Sequence, residues 1–301
     1  AAHVLGFAGI DNQGLWGVEY TLDDYLTGED GSIVGQYDAL GEALPQAEYQ
    51  YVPPKDGYDV YLTIDENIQY FCERDLAALM ASENPPKQAG IIIMDPRDFS
   101  VLAMAVSEPY DPNNYYDYPQ ASWRNFLVSD SYEPGSTFKI VTASAALEEG
   151  TVNVNSGFYC PGSIHVANAT ISCWSSVPHG SQNLPEAVRH SCNPAFVTIG
   201  QGLEAKEKGL LYKYIQAFGF GQPTGLALNG EAAGILQAES NVNAVEVATI
   251  SIGQGIAVTP MQMITAACVI ANDGLLLKPQ IVSKVMDGDK PMYEQQPESL
   301  R

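Results

Sequence analysis

The chain has 301 residues, 46% of them apolar, which is enough for one large domain and a smaller appendage with buried cores. Lysine and arginine total 14 against 36 aspartates and glutamates, giving a formal net charge of -22. A surface this negative repels phosphate backbones and anionic headgroups, which argues against nucleic acid as a partner.

Neither a membrane span nor a secretory signal is found in the sequence. No run of about 18 uninterrupted apolar residues occurs, and the first residues lack a basic region followed by an apolar one. The chain begins without a methionine, so we expect it to start inside a longer protein whose anchor lies elsewhere. Its five cysteines are an odd number, which argues against a pure disulfide framework.

The first third of the sequence predicts an irregular segment, a linker and a helix. Residues 1–44 show no strong periodicity, and residues 45–59 are rich in proline, tyrosine and polar residues, as in a linker. Thr63 and Glu66 then have the spacing of a capping box at a helix start. The apolar face predicted for this helix carries Ile68, Cys72, Leu76 and Leu79.

Two apolar runs follow with a turn between them. Residues 89–94 and 100–106 flank Asp95-Pro96-Arg97-Asp98, which predicts a hairpin of two buried strands. Beyond the hairpin the pattern is mainly helical. Strands first and helices after indicate a fold of the α/β (α+β) class, with a mixed sheet flanked by a helical layer.

Two of the later helices have clear end signals. One follows Ser136 and stops at Gly150, since glycine tolerates the positive φ of a helix C-terminus. The other opens at Thr259-Pro260, with threonine as the N-cap and proline in the first turn, and closes at Gly274.

The strongest chemical signal is a serine followed three residues later by a lysine. Glu133-Pro134-Gly135 interrupts the preceding chain, so Ser136 falls at a helix N-terminus, where free N–H groups favour developing negative charge. Lys139 lies one turn later on the same face and can reach the Ser136 hydroxyl. It can act as a base only if it is uncharged, which burial or a second nearby cation would achieve.

A second pair of polar residues lies 55 positions downstream of the serine. Ser191 and Asn193 flank Cys192 and precede a predicted helix. Taken alone, Ser136 and Asn193 could each be ordinary helix caps, and Lys139 a solvated side chain. Together, a serine-lysine pair with a second hydroxyl and an amide matches the active-site pattern of penicillin-binding proteins and serine β-lactamases.

Further segments resemble the class B penicillin-binding proteins, monofunctional D,D-transpeptidases, and are most similar to elongation or sporulation types of Gram-positive bacteria. The segments are Met-Asp-Pro at 94–96, Tyr-Asp-Pro-Asn at 110–113, Tyr-Glu-Pro-Gly-Ser-Thr-Phe-Lys at 132–139, Asn-Pro-Ala-Phe at 193–196 and Ser-Ile-Gly-Gln-Gly-Ile-Ala-Val-Thr-Pro-Met-Gln-Met at 251–263. The resemblance implies a penicillin-binding transpeptidase or serine β-lactamase-like fold, with a mostly antiparallel sheet between helical layers. It assigns residues 57–301 to the transpeptidase domain. Residues 1–56 would be the end of an N-terminal pedestal or dimerisation domain with its linker.

The resemblance also implies the roles of the polar residues. Ser136 would be the acylated nucleophile and Lys139 its base, while Ser191 would relay a proton and Asn193 would hold the lysine and the substrate amide. The substrates would be peptidoglycan stem peptides, with β-lactam antibiotics as inhibitors and no organic cofactor. Such a protein acts at the extracytoplasmic face of the bacterial cell membrane, with a membrane anchor and a cell-wall glycosyltransferase as partner, both outside this chain.

One family motif is absent from this sequence. The third motif, Lys-Thr-Gly or Lys-Ser-Gly on a central strand, does not occur in the 301 residues. We therefore expect the C-terminal portion that carries it to lie outside this chain or to be a separate, non-covalent chain. Central strands removed from a sheet leave unpaired backbone and apolar faces, so the remainder is not expected to fold alone.

Three cysteines and one histidine cluster within 33 residues, in the pattern Cys-x12-Cys-x5-His-x12-Cys. Thiolates and imidazole are ligands of tetrahedral zinc, so Cys160, Cys173, His179 and Cys192 are candidates for a structural Zn2+ site. Some elongation-type family members hold zinc in this loop. The alternatives are a disulfide, which sporulation-type relatives form at positions corresponding to Cys173 and Cys192, or isolated buried thiols. His3, His165 and His190 lack ligand spacing and are assigned structural roles.

The leading hypothesis is therefore a D,D-transpeptidase of cell-wall synthesis. Two alternatives stay open from the sequence. A β-lactamase or β-lactam sensor domain shares the serine-lysine pair, although stand-alone β-lactamases lack a segment like residues 1–44. A catalytically silent cell-wall scaffold is the other alternative, which the missing third motif would favour if the gene also ended here.

Overall fold

The computed structural model describes residues 1–35 and 50–301. The α-helices of these residues are α1 (Ala2–Leu5), α2 (Gly17–Thr21), α3 (Asp23–Leu26), α4 (Glu66–Met80), α5 (Phe126–Ser129), α6 (Lys139–Glu148), α7 (Leu184–Arg189), α8 (Asn193–Lys206), α9 (Leu210–Ala217), α10 (Ala244–Ile250) and α11 (Pro260–Ala271). The strands are β1 (Phe7–Ala8), β2 (Gly14–Trp16), β3 (Ser32–Val34), β4 (Gln50–Val52), β5 (Asp59–Leu62), β6 (Gly90–Met94), β7 (Val101–Val106), β8 (Gly157–Cys160), β9 (Ser163–Val166), β10 (Ala169–Ser172), β11 (Gly180–Asn183), β12 (Val282–Asp287) and β13 (Lys290–Glu294). Short 3-10 helices span Pro112–Asp117, Gln120–Trp123, Gly135–Phe138 and Glu239–Asn241.

The predicted β6–β7 hairpin forms, but the expectation that both strands are buried is wrong for β6, in which only Met94 is buried. The two strands pair antiparallel, with Ile91 opposite Ala105. Ala103 and Ala105 pack with Cys72 and Leu76 of α4 on one face, whereas Met104 and other residues of β7 join the large core on the opposite face. Neighbouring side chains of a strand point to opposite faces, so this alternation buries both faces of β7. A sheet with a helical layer on each side confirms the predicted fold class.

The N-terminus of α4 differs from the predicted capping box. The N-cap is Asp65, whose side chain accepts hydrogen bonds from the backbone N–H groups of Asn67 and Ile68. The Thr63 hydroxyl instead donates to the backbone oxygen of Val101, 2.7 Å away. The Asp65 carboxylate accepts hydrogen bonds from the free N–H groups of the first turn, so the capping box predicted for Thr63 and Glu66 is wrong.

The predicted ends of the two later helices are confirmed. Helix α6 runs to Glu148 and is followed by Gly150 at φ 64°. At α11 the Thr259 hydroxyl accepts from the Gln262 N–H, while the Gln262 side chain accepts from the Thr259 N–H. This reciprocal pair is a capping box, and it satisfies two donors that would otherwise lack partners.

The expectation of a mainly helical chain beyond the hairpin is wrong in two regions. Residues 157–183 form two antiparallel pairs, β8 with β11 and β9 with β10, which pack against α8. Near the C-terminus β12 pairs with β13 and with β5. The four strands of residues 157–183 are only four residues long and pack against α7 and α8, so sequence periodicity does not reveal them.

The predicted linker contains a strand. Residues 45–49 lie outside the described residues, but Gln50–Val52 form β4, which pairs with β3. At the N-terminus Phe7 stacks on Tyr115 at 4.0 Å between ring centroids, and the Tyr110 hydroxyl donates to the backbone oxygen of Ala2. The N-terminal segment is thereby joined to the loop that follows β7. No helix within residues 1–35 or 50–301 has the length and apolar character needed to cross a bilayer.

Candidate active site

The predicted nucleophile lies in a single tight turn. Gly135–Phe138 form a 3-10 turn that continues directly into α6, and Gly135 adopts φ 55°, a conformation that favours glycine. Ser136 is therefore at the start of the combined helix, as predicted. Phe138 is fully buried in the large core, and its packing there holds the turn in place.

The side chains of the four predicted catalytic residues meet at the amine of Lys139. Its Nζ lies 3.2 Å from Ser136 Oγ, 3.0 Å from Ser191 Oγ and 2.7 Å from Asn193 Oδ1. A fourth contact, 2.7 Å long, joins it to the backbone oxygen of Ser191. All four partners are uncharged, so in the described part of the chain the amine is surrounded by acceptors and no carboxylate pairs with it.

Burial changes the acidity of this amine. Lys139 is 4% exposed, and its removal from water lowers the pKa from the ordinary lysine value to about 8, with the thiols of Cys192 and Cys173 opposing the shift. The ring of Phe196 lies beneath Nζ at 5.4 Å and adds apolar surroundings. Near neutral pH an amine with this pKa is uncharged in about a tenth of the molecules, so it can accept a proton from Ser136.

Ser191 lies at a strained junction between α7 and α8. The N–H of Ser191 bonds to the oxygen of Val188 and the N–H of Cys192 to that of Ala187, which is the hydrogen-bond pattern of a Schellman motif. That motif requires a left-handed residue after the C-cap, usually glycine, and here Ser191 takes the position at φ 49°. A left-handed non-glycine residue costs about 1–2 kcal/mol. Such strain is typical of functional positions.

Asn193 is held in one orientation from two sides. Its Oδ1 faces Lys139, and its Nδ2 donates to the backbone oxygen of Ser172 at 2.9 Å. Cys192 is the N-cap of α8, and Asn193 is the first residue of that helix. The contact with Ser172 joins the Asn193 amide to the end of β10. No sequence pattern predicted this interaction.

Gly253 supports the nucleophile turn through the backbone. The N–H of Gly135 donates to the oxygen of Gly253 at 2.9 Å, and a Cβ on Gly253 would lie 2.0 Å from the oxygen of Gly135. Gly253 also has φ 77°, so two independent constraints require glycine there. Only the structure identifies the nucleophile turn as the surface that Gly253 contacts.

The predicted metal ligands also come together. The candidate ligand atoms of Cys160, Cys173, His179 and Cys192 all lie within 4.8 Å of one another, and Cys173 Sγ is 3.6 Å from His179 Nδ1. In a tetrahedral zinc site with ordinary metal–ligand lengths, neighbouring ligand atoms are about 3.6–3.8 Å apart. A small contraction would therefore bring the set to zinc geometry, and all five cysteines are free thiols.

The thiols of this cluster differ in their surroundings. Cys160 and Cys192 are both fully buried. Burial raises the pKa of Cys192 to about 12, whereas at Cys160 the N–H donors of His179 and Gly162 overcome the effect of burial and lower the pKa.

The fold and the two side-chain clusters define a domain of the penicillin-binding class. The family described as "Penicillin binding protein transpeptidase domain" matches residues 89–301. The chain therefore belongs to the family of penicillin-binding protein transpeptidase domains, as its motifs indicated.

Individual relatives agree with this assignment. The chain is 45% identical to "Stage V sporulation protein D" of Bacillus subtilis over 95% of this chain and 44% of the relative. It is 30% identical to "Peptidoglycan D,D-transpeptidase FtsI" of Escherichia coli over 99% of this chain and 49% of the relative. The chain thus spans about half the length of the curated relatives it matches.

Solved structures show the same fold. Penicillin binding protein 3 of Mycobacterium tuberculosis superposes with a TM-score of 0.83 in the apo form, at 29% identity, covering 100% of this chain and 63% of that one. The same protein complexed with ampicillin gives a TM-score of 0.85 at 28% identity, covering 100% of this chain and 62% of that one.

The lowered pKa of Lys139 predicts a pH dependence for acylation of Ser136. If the neutral amine is the base that accepts the Ser136 proton, the second-order rate constant should fall about tenfold per pH unit below pH 8 and level off above it. Stopped-flow or gel-based labelling with a fluorescent penicillin between pH 6 and 9.5 measures this profile. Spontaneous hydrolysis of the penicillin in the same buffers is the control. A flat profile would contradict the assignment of Lys139 as the base.

The strain at Ser191 predicts a difference between two substitutions that both remove its hydroxyl. Ser191→Gly relieves the left-handed conformation and Ser191→Ala keeps it, so the glycine variant should be more stable by up to about 1 kcal/mol. Both variants should lose about 10²- to 10⁴-fold in acylation rate if the hydroxyl transfers a proton. Chemical denaturation and penicillin labelling give the two quantities. Equal stabilities would refute the strain, and a normal rate would refute the proton transfer.

Proposed function

We propose that this protein is a D,D-transpeptidase that cross-links peptidoglycan stem peptides through an acyl-enzyme at Ser136. The observation that carries the proposal is the contact of 3.2 Å between Ser136 Oγ and the buried amine of Lys139, whose pKa is lowered to about 8 by burial. Nucleophile and base are thus already at hydrogen-bond distance. The names of the relatives support this reaction and substrate class.

The first step of the proposed reaction joins Ser136 to the substrate in a tetrahedral adduct, which becomes an ester when the D-alanine amine leaves. Ser136 Oγ attacks the carbonyl carbon of the penultimate D-alanine while Lys139 Nζ accepts the hydroxyl proton. The negative charge that develops on the carbonyl oxygen faces the backbone N–H of Ser136, one donor of an oxyanion hole. Its position at the start of α6 adds the favourable field of the helix N-terminus.

The remaining steps release D-alanine and transfer the acyl group to a second stem peptide. The proton on Lys139 passes through the Ser191 hydroxyl, 3.0 Å away, to the amine of the departing D-alanine as the carbon–nitrogen bond breaks. The amine of a second stem peptide then attacks the ester, and Ser136 recovers its proton as the new peptide bond forms. Asn193 holds Lys139 throughout and presents its amide to the substrate.

The surroundings of the serine-lysine pair favour a long-lived ester with a β-lactam. Within the described residues, the hydrogen bonds of Ser136, Lys139, Ser191 and Asn193 include no carboxylate. Activation of a hydrolytic water requires such a general base or an equivalent group. This observation favours a transpeptidase inhibited by β-lactams over a β-lactamase. The assembled serine-lysine pair, in turn, favours an enzyme over a silent scaffold.

For the whole protein, we propose a place at the extracytoplasmic face of the bacterial membrane, with an anchor and a glycosyltransferase partner outside this chain. Residues 1–56 would end the pedestal domain and residues 57–301 would belong to the transpeptidase domain. The contacts of Phe7 with Tyr115 and of Ala2 with Tyr110 support a pedestal docked on the catalytic domain. The name of the Bacillus subtilis relative supports a role in sporulation.

We further propose that the cysteine cluster holds a structural Zn2+. Its ligands would be Cys160, Cys173, His179 and Cys192, three soft thiolates and an imidazole with no fifth position for substrate. The metal would supply positive charge to a buried thiolate set and would cross-link β8, the loop after β10 and the α7–α8 junction. Cys192 lies between Ser191 and Asn193, so this cross-link would fix both catalytic side chains.

Removing the nucleophile tests the acyl-enzyme. In the complete protein, Ser136→Ala should abolish covalent labelling by a fluorescent penicillin, because no other hydroxyl near Lys139 starts a helix. Ser129→Ala, a serine with a partly buried side chain outside the site, is the matched control and should label normally. Equal labelling of Ser136→Ala and the wild type would remove Ser136 from the mechanism. Loss of label within minutes would indicate a β-lactamase.

Metal analysis of the purified protein tests the cluster. We expect one zinc per chain, and Cys173→Ser should lower the zinc content and the thermal stability together, since structural zinc contributes directly to folding. The variant Cys268→Ser removes a buried cysteine far from the cluster in sequence and should retain its zinc. Absence of zinc together with two fewer titratable thiols would establish a disulfide instead.

A further inference from the structure

The segment that leads into the nucleophile turn, from Tyr132 to Gly135, runs alongside the segment from Gly253 to Val258. At one end the N–H groups of Tyr132 and Val258 each donate to the backbone oxygen of the other residue, both at 2.9 Å. At the other end Gly135 donates to the oxygen of Gly253, the contact described above. Backbone hydrogen bonds therefore join the two segments on either side of the two residues between Tyr132 and Gly135.

Between these backbone contacts a side chain joins the two segments. Pro134 has no N–H group, so it cannot donate to the facing segment. Its neighbour Glu133 does make a contact, because Glu133 Oε1 accepts a hydrogen bond of 2.8 Å from the N–H of Gly255. A carboxylate is a strong acceptor of N–H groups. The Glu133 side chain thereby supplies a link where proline leaves the backbone without a donor.

The loop that follows α10 is held differently at its two ends. Ser251 is fully buried, and its backbone oxygen accepts a hydrogen bond of 3.1 Å from the Thr142 hydroxyl of α6. A Cβ on Gly200 of α8 would lie 1.7 Å from Ser251 Oγ, so that helix also packs directly on the loop. Gly255, in contrast, is exposed, and its N–H is held by Glu133. Loss of the Glu133 carboxylate should therefore loosen the exposed end of the loop and leave its buried end in place.

The contact between Glu133 and Gly255 bears on the placement of the nucleophile. Gly253 lies two residues before Gly255 in the same loop, and its oxygen accepts the N–H of Gly135. Gly135 directly precedes Ser136 in the nucleophile turn. A shift of the loop at Gly255 would therefore move the backbone that positions Ser136. Displacement of a nucleophile from its base slows the reaction, since catalysis requires the reacting atoms in near-attack geometry.

We propose that Glu133 is a positioning residue for the nucleophile, whose carboxylate accepts the N–H of Gly255 and so holds the turn that carries Ser136 against the facing loop. This inference rests on the acyl transfer proposed above. The role requires an acceptor oxygen at this position rather than a negative charge, because the group that it binds is a neutral backbone N–H. A glutamine, whose Oε1 can accept the same N–H, should therefore replace Glu133 with little loss.

The test compares Glu133→Gln with Glu133→Met in the complete protein. Glutamine keeps the length and an acceptor oxygen, whereas methionine keeps the length but offers only a weakly accepting sulfur. Stopped-flow acylation over a range of nitrocefin concentrations separates the first-order acylation constant from the dissociation constant of the non-covalent complex. The methionine variant should lose about 3- to 10-fold in the acylation constant, as for one hydrogen bond, with the dissociation constant unchanged. The glutamine variant should stay within about twofold of the wild type.

The matched control is Glu108→Met, which makes the same change at an exposed glutamate after β7 and should acylate like the wild type. Wild-type acylation constants in the methionine variant of Glu133 would overturn the inference and leave the proposed function intact. An equal loss in both Glu133 variants would also overturn it, because the negative charge would then be what matters. A wild-type protein that nitrocefin acylates no faster than Ser136→Ala would refute the proposed function itself.

Thermal unfolding distinguishes positioning from a general structural role. Both partners of the contact are exposed, so its loss should leave the unfolding midpoint of each Glu133 variant close to that of the wild type. A slower acylation in the methionine variant with an unchanged midpoint, restored by glutamine, supports the inference. A slower acylation that accompanies a large fall in the midpoint would assign Glu133 to the stability of the fold and overturn it.

Discussion

The structure depends on an amine that is buried without a counter-ion. Lys139 is removed from water and receives four oxygen acceptors in exchange, none of them charged. A charged ammonium in such a site is penalised by desolvation, and this penalty makes the amine available as a base. The acceptors come from the turn before α6 and from the α7–α8 junction. The turn and the junction must therefore be placed accurately relative to Lys139, and the packing around them serves to hold them there.

In the α7–α8 junction, three consecutive residues contact both Lys139 and the cysteine cluster. Ser191 and Asn193 face Lys139, while Cys192 between them turns toward the thiols and is fully buried. The left-handed conformation of Ser191 allows this arrangement, because it turns the chain sharply after α7 and α8 begins two residues later, at Asn193. A regular helix would carry neighbouring side chains about 100° apart around its axis and could not direct them in this way.

The sequence predicted the residues of the site better than their surroundings. Ser136, Lys139, Ser191 and Asn193 follow local motifs, and the sheet between helical layers follows from the hairpin and the helix signals. The strands of residues 157–183 were not predicted because they are only four residues long and pack against α7 and α8, contacts that sequence periodicity does not encode.

The meeting of Gly135 and Gly253 bears on how antibiotic resistance could arise in such a protein. The backbones of the two residues are in contact and neither residue has a side chain, so side-chain substitutions cannot change this contact in small steps. A Cβ on Gly253 would displace the nucleophile turn, so under the proposed function it would impair acylation by the substrate and by the drug together. Selection for discrimination between the two must therefore act on side chains that line the cleft, where small changes remain available. The contact between Gly135 and Gly253 is therefore a part of the protein in which substitutions are poorly tolerated.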